Sequence, residues 1–327
     1  MKAWGIEKPE GPKGLRLSER EAPALHPWEV RVLVRASALN RADLIQLRGG
    51  YPAPHGAPPD IPGLELAGEV LEVGAFVTLW KKGAKVMGIV GGGAFAEEVV
   101  THERELLPLP TGWSFEDAAA LPEAFLTAWD ALVLQAGFRS GEWVLVHAAG
   151  SGVGTAAVQL VHALGGKVVG TARTEAKLER LARDFDLDHG LLPGSPPSFA
   201  KAVREVTGGG AQVALELVGG DYLPETCSAM ALRGRVILIG LLAGAKAELD
   251  LRTVLTRRLC VTGTVLRSRP IEEKMALAQA ATRHLIPLFE EGALRPVVDA
   301  VVPMADLPFA CERLSTNDVF GKIVLRW

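Results

Sequence analysis

The sequence predicts an α/β protein: a doubly wound parallel sheet inserted in a mainly β domain that the chain leaves and later re-enters. Three observations carry this. Residues 1 to about 120 read as short strands broken by Pro- and Gly-rich turns. Residues 122–265 alternate apolar strands with helices, the mark of a parallel sheet covered on both faces. The tail returns to helix and strand and ends "GKIVLRW". A chain of 327 residues suggests about two domains. We therefore expect one discontinuous domain from 1–121 and 266–327, and another from 122–265.

The elements follow in order. "EVRVLVRA" (29–36) places Val30, Val32 and Val34 on one side, as a half-buried strand requires. In "ALNRAD", Asn40 followed by Asp43 three residues on is a helix-start signal. "GGYPAPHGAPPDIPG" (49–63) is a loop set off by Pro and Gly. "WVLVHA" (143–148) and "KVVGTA" (167–172) read as strands. "EAKLERLARDF" reads as a helix with Leu178, Leu181, Ala182 and Phe185 on one face. "QVALELVG", "RVILIGLL" and "LCVTGTV" (259–265) are further apolar runs bounded by turn signals.

Composition excludes several classes. Net charge is −3 and no basic run appears, which speaks against a nucleic-acid or membrane-surface partner. No Lys, Arg, Asp or Glu occurs from Trp143 to Gly166, long enough to span a bilayer. Yet Gly150, Gly152 and Gly154 interrupt the stretch, and His147, Ser151, Gln159 and His162 add polarity; strand, turn and buried helix fit better. Cys227, Cys260 and Cys311 are odd in number and far apart, so neither a disulfide framework nor a zinc knuckle is expected. A reducing, cytoplasmic compartment is. "MKAWGIEKPEG" turns charged at once, unlike a signal peptide.

"LVHAAGSGVGTAAVQL" (145–160) nearly matches the dinucleotide fingerprint G-x-G-x-x-G. Gly150 and Gly152 supply the first pair, and Thr155 stands where the third glycine belongs. Strand 143–148 would enter a turn at 149–154, with a helix from about Val153. Gly150, Ser151, Gly152 and Val153 could then hold a pyrophosphate at the helix N-terminus. A tight packing turn without a ligand is the alternative. The second strand tilts the reading. An NAD site should end it in Asp or Glu; here Ala172 and Arg173 follow, with Lys177 a turn further. Two cations attract a 2′-phosphate, pointing to NADPH, although a solvated helix start would look similar.

With these motifs on the page, the chain resembles the medium-chain dehydrogenase/reductases along its full length, specifically the zeta-crystallin-like quinone oxidoreductases. "NRADLIQLRGGYP", "IPGLELAGEVLEVG", "PEAFLTAWDAL", "HAAGSGVGTAAVQL", "VLRSR" and "GKIVL" fall in that family's order. The animal stress-inducible branch looks most similar. The resemblance implies a Rossmann domain inserted in a GroES-like catalytic domain. Its phosphate loop reads A-x-x-G-x-x-G, here Ala148, Ser151 and Gly154, so a serine replaces the middle glycine and its hydroxyl could face the cofactor. Zinc dehydrogenases of the superfamily carry Gly-His-Glu and an upstream cysteine. Here Leu64 and Asn40 stand in those places, and no metal is expected. The resemblance further implies that Asn40 lines the nicotinamide pocket and Thr127 lies under the nicotinamide. The backbone around Val218, Leu241 and Leu266 would line the cofactor, and Asn317 would approach it. Pro193 replaces a tyrosine often found near the adenine phosphate. A homodimer is implied; the apolar, proline-free strand 259–265 would be an aggregation edge unless paired with its copy.

Without zinc, the protein must place donor and acceptor, hydrogen-bond the developing oxyanion and exclude water. Tyr51, one of two tyrosines, is the expected donor, with Asn40 and Ser151 as the other side-chain candidates. Packing against the loop prolines is the alternative for Tyr51. Tyr222 reads as packing at a helix start and His147 as a core residue; no histidine is assigned. The expected function is a zinc-independent NADPH-dependent reductase of quinones or related electron-poor carbonyl compounds. An enone or enoyl-thioester reductase is the alternative, and a non-catalytic cofactor- or RNA-binding zeta-crystallin-like protein the second.

Overall fold

A computed structural model describes residues 1–327. The chain divides into two compact units, Met1–Leu126 with Leu266–Trp327, and Thr127–Val265.

The first unit opens with β1 (Lys2–Ile6) paired antiparallel to β2 (Leu15–Glu19). Then come β3 (Glu29–Ala38), α1 (Arg41–Gln46), β4 (Glu65–Val73), β5 (Lys85–Ile89), β6 (Glu98–His102), β7 (Leu106–Pro108) and α2 (Phe115–Ala119). α3 (Pro122–Trp129) follows. The alternation in β3 does what it predicts: Val30, Val32 and Val34 are buried against Leu66, Val70 and Val86.

The second unit continues with β8 (Trp143–Val146), α4 (Gly152–Ala163), β9 (Lys167–Thr171), α5 (Glu175–Phe185), β10 (His189–Leu191) and α6 (Ala200–Thr207). It closes with β11 (Ala211–Glu216), α7 (Tyr222–Ala229), β12 (Met230–Leu238), α8 (Leu251–Arg257) and β13 (Cys260–Gly263). Its six strands run parallel in the order β10-β9-β8-β11-β12-β13. Leu145, Val169, Ala214 and Val236 on these strands bury against Phe199 and Val203. The chain builds outward from β8 to β10, then returns to β11 on the other side of β8. That reversal is the switch point at whose carboxyl end doubly wound sheets bind ligands.

The returning chain adds α9 (Ile271–His284), α10 (Ile286–Glu290), β14 (Val298–Pro303), α11 (Leu307–Ser315) and β15 (Lys322–Arg326) to the first unit. Its large sheet runs β14-β15-β3-β4-β5-β7, with β6 also on β3. β15 and β4 both lie antiparallel to β3, Val324 opposite Ala38 and Leu66 opposite Ser37. The end of β3 and the starts of β4 and β15 therefore meet at one sheet edge, bringing Asn40, Glu65 and Lys322 together.

Two strands are shorter than the sequence suggests. β8 stops at Val146 rather than 148, because Ala148 takes φ +47° and turns the chain. β13 spans Cys260–Gly263, short of the predicted 259–265. Helix α5 covers the predicted 175–185.

Candidate functional site: a dinucleotide cradle and a buried charge cluster

In the second unit, the turn after β8 runs into α4. Ser151 is the N-cap, its Oγ accepting from the backbone N–H of Gly154 at 3.1 Å. This leaves the Ser151 O–H able to donate outward. A Cβ at Gly154 would lie 2.4 Å from the Ala148 carbonyl oxygen, so only glycine lets the turn fold onto the helix. Gly150, Ser151, Gly152 and Val153 thus occupy the turn and first helical positions, where N–H groups lack intrahelical partners and the dipole favours an anion.

His147 ties the strand ends beneath this turn. Its Nδ1 meets Thr171 Oγ1 and its Nε2 meets Thr226 Oγ1, each at 2.9 Å. Thr226 donates to Glu216 Oε2 at 2.6 Å, so Nε2 must carry the proton that His147 gives to Thr226. Burial lowers the His147 pKa, consistent with a neutral core ring. Glu216 Oε1 accepts from the N–H groups of Val218 and Gly219, fixing the loop after β11.

Around the strand ends lies a cavity of about 620 Å³. Arg173 lines it after β9; Leu192 and Pro193 after β10; Gly220, Asp221 and Tyr222 after β11; Ala243 and Lys246 after β12. Every one follows a carboxyl strand end. No acid stands at the end of β9, where Thr171, Ala172 and Arg173 follow one another. Arg173 also bears electrostatically on Tyr222, whose hydroxyl burial pushes above its usual value. Lys246, not Lys177, shares the cavity lining with Arg173. Lys177 sits partly buried in the first turn of α5. Leu241 is exposed in the loop after β12, whose Ala243 N–H donates to the Val218 carbonyl at 2.7 Å. These groups fit a dinucleotide.

In the first unit, Glu65 and Lys322 form an ion pair at 2.6 Å, with side chains 0% and 6% exposed. Lys322 Nζ also donates to Asn40 Oδ1 at 2.5 Å, and Asn40 Nδ2 to Glu65 Oε1 at 2.8 Å. The second Glu65 oxygen accepts from the Glu123 N–H at 2.8 Å. Asn40 is the N-cap of α1, and buried Asp43 reaches back to its N–H at 2.8 Å, closing a capping box. Burial pushes Asp43 up to about 7, against its two backbone donors and Lys322. Burial, with the Glu65 charge second, pushes Glu123 up to about 8. The positions around Glu65 are thus taken by a lysine ammonium, an amide and an N–H. Leu64 beside it is buried and cannot ligate a metal.

Tyr51 lies half-buried in the loop after α1. Burial first, then the Glu123 charge, raises its pKa, so its hydroxyl keeps its proton at neutral pH. Arg267 covers the ring. Leu266 is buried, and Asn317, at φ +67°, accepts a hydrogen bond from Arg41. Thr127 is buried in α3.

Residues 26–111 match the alcohol dehydrogenase GroES-like domain, and residues 152–282 match the zinc-binding dehydrogenases. Quinone oxidoreductase-like protein 2 of Bos taurus is 30% identical over 303 residues, spanning 92% of this chain and 86% of its own. The chain belongs to the medium-chain dehydrogenase/reductase superfamily. A quinone oxidoreductase structure from Pseudomonas syringae pv. Tomato superposes with a TM-score of 0.86 at 29% identity, covering 100% of this chain and 99% of that one. The spectinabilin polyketide synthase system protein NorB of Streptomyces orinoci is 35% identical over 311 residues, spanning 94% of this chain and 13% of that protein. The protein is an oxidoreductase of this superfamily, whose fold takes a nicotinamide cofactor. No helix is long and apolar enough to cross a membrane.

Four residues of these sites were not anticipated: Glu65, Glu123, Lys322 and Lys246. The first three lie inside motifs quoted for other reasons, "GLELAG", "PEAFLTAW" and "GKIVL". An isolated charge within an apolar run signals a buried partner.

Proposed function

We propose that the protein is a zinc-independent, NADPH-dependent reductase that delivers hydride to a quinone or a related electron-poor carbonyl compound. The supporting observation is the cavity at the strand ends, which two cations line and which has no carboxylate at the end of β9. The dinucleotide, when bound, supplies hydride. The α4 N-terminus with Gly150, Ser151, Gly152 and Val153 takes the pyrophosphate. Arg173 and Lys246 take the 2′-phosphate, with Lys177 beside them on α5. The backbone at Val218, Leu241 and Leu266, with Thr127, Asn40 and Asn317, serves the remainder. Tyr51 donates a hydrogen bond to the acceptor oxygen as negative charge develops there.

NADPH should bind at least about tenfold more tightly than NADH, since a hydrogen bond to a charged group is worth about 1.5–3 kcal/mol. Fluorescence titration with both cofactors tests this. Arg173→Ala and Lys246→Ala should each narrow the gap; equal affinities, unmoved by either substitution, refute the assignment.

A second reading is supported by the 35% identity to a segment of a polyketide synthase protein. Enoyl thioesters accept hydride at the β-carbon of the conjugated double bond, and the carbonyl oxygen carries the enolate charge until the α-carbon is protonated. NADPH oxidation against a panel of ortho-quinones, para-quinones, enones and enoyl thioesters separates the two readings.

The proposal includes activity that survives strong chelators, because Leu64 and the Lys322-bound Glu65 offer no ligand set. Stoichiometric zinc in the purified protein, by elemental analysis, would contradict it.

It also includes a homodimer in the cytoplasm. β13 pairs only with β12, and its exposed Val261 lies on an open edge. Pairing with a twofold copy would cover that edge. Light scattering at micromolar concentration should give twice the chain mass; a monomer mass sinks this assignment.

A further inference from the structure

The sequence pairs a run of three glycines, "GGGAF", with an arginine in "VLRSRP". Both meet the loop that carries Tyr51. Arg267 is 3% exposed. Its Nε donates to the Gly91 carbonyl at 2.8 Å, Nη1 to the Tyr51 carbonyl at 2.9 Å, and Nη2 to Gln46 Oε1 at 2.8 Å. The guanidinium carbon stands 4.9 Å from the centre of the Tyr51 ring. A buried cation is costly unless its donors are satisfied, and none of these three acceptors is a carboxylate. The bonds instead join three segments: the end of α1, the start of the loop and the chain after β5. A planar guanidinium presents its donors in a fixed fork that meets three separate acceptors while its carbon stands over the ring, whereas a lysine ammonium is a point charge without that fork.

The glycines form the seat. A Cβ on Gly91 would lie 2.9 Å from Ala57 Cβ and 3.1 Å from Pro54 Cγ. On Gly92 it would lie 3.2 Å from the Ile61 carbonyl oxygen, and on Gly93 3.2 Å from Pro58 Cγ. The loop thus rests directly on bare backbone. Gly49 and Gly63, at φ +78° and +99°, bound the loop in conformations that favour glycine. Gln46 turns its oxygen to Arg267, while its buried Nε2 finds no partner. The arginine, rather than the amide's own bonding, therefore sets the orientation of that side chain.

We propose that Arg267 is a latch, and Gly91–Gly92–Gly93 its seat, that together hold the Tyr51 loop in place for reaction. Arg267 is then a positioning residue that acts through Tyr51, and this rests on the role proposed for Tyr51 above.

Tyr51 and Tyr222 are the only tyrosines, so full-length protein labelled with 3-fluorotyrosine gives two fluorine resonances, assigned with Tyr222→Phe. Arg267→Met should shift or broaden the Tyr51 resonance and speed amide exchange of residues 50–58 at least tenfold. Arg267→Lys should restore part of both. With a quinone acceptor, kcat/KM should fall about tenfold while NADPH affinity stays within twofold. In a Tyr51→Phe background the same substitution should cost less than a further twofold. An unchanged Tyr51 resonance and unchanged exchange in Arg267→Met overturn the latch, whatever the activity. A released loop with unchanged kcat/KM leaves the latch standing and overturns the role of Tyr51. Should Arg267→Met fail to fold, Gly91→Ala displaces the loop from its seat and gives the same readouts.

Discussion

Lys322→Met is expected to destabilise the first unit by about 3–5 kcal/mol, the usual cost of removing one partner from a buried ion pair. The substitution keeps an unbranched apolar stem and removes the terminal ammonium, so the loss is chiefly electrostatic. It strips Glu65 of its cation and Asn40 of the donor to its Oδ1. For a unit of this size the midpoint of thermal unfolding should fall by roughly 6–20 °C. The deficit should depend on pH. Asp43 and Glu123 are raised to about 7 and about 8 from ordinary values near 4. Between those values the folded chain binds more protons than the unfolded one. Stability contributed by these two groups therefore falls as pH rises from about 4 to 8. Lys322 opposes that rise in both groups. Without it, the variant should lose more at pH 8.5 than at pH 5.5, where the two carboxyls are already protonated in the folded protein. Calorimetry at the two pH values is the measurement. Adding Glu65→Gln should recover part of the loss, because the stranded charge is gone; a double variant as unstable as the sum of the singles would show no coupling between the pair.

Much of the fold was legible because its signals are local. The period-two valines of β3, the apolar face of α5 and the glycine turn before α4 each state their element within a dozen residues. The strand-then-helix rhythm from 143 to 263 names a parallel sheet without any knowledge of strand order. The cradle was legible in part for the same reason: Arg173 follows β9 directly. Lys246 was not, because it reaches the cavity from a loop more than seventy residues away. The charge cluster was hidden for a related reason. Asn40, Glu65 and Lys322 meet only through the register of β4 and β15 on β3, and no local pattern encodes that register. Arg267 stands inside the quoted "VLRSR", and nothing local in that segment points to its three acceptors, which lie more than 170 residues earlier in the chain.

Tyr51→Phe should lower kcat/KM with a quinone by about fivefold to a hundredfold and leave NADPH affinity nearly unchanged. The ring remains, so the stacking of Arg267 over it is kept and only the hydroxyl goes. Removing one oxyanion donor from a dry site costs about 2.7–4 kcal/mol in strong cases. A smaller loss is expected here, since a quinone accepts hydride readily and water can protonate the product. The other side-chain candidates are already engaged. Asn40 spends its Nδ2 on Glu65 and the Ala38 carbonyl, and its Oδ1 on Lys322. Ser151 Oγ caps α4. Tyr51 is therefore the donor the first unit can best offer, and its raised pKa keeps the proton on it through neutral pH. Steady-state kinetics separate the outcomes. A fall in kcat and in kcat/KM alike marks an interaction made in the transition state. A rise in KM alone marks packing against the substrate, and unaltered kinetics would remove Tyr51 from the chemistry. Hydride proximity would then carry the rate, with Ser151 and Asn40 confined to holding the cofactor and the α1 cap.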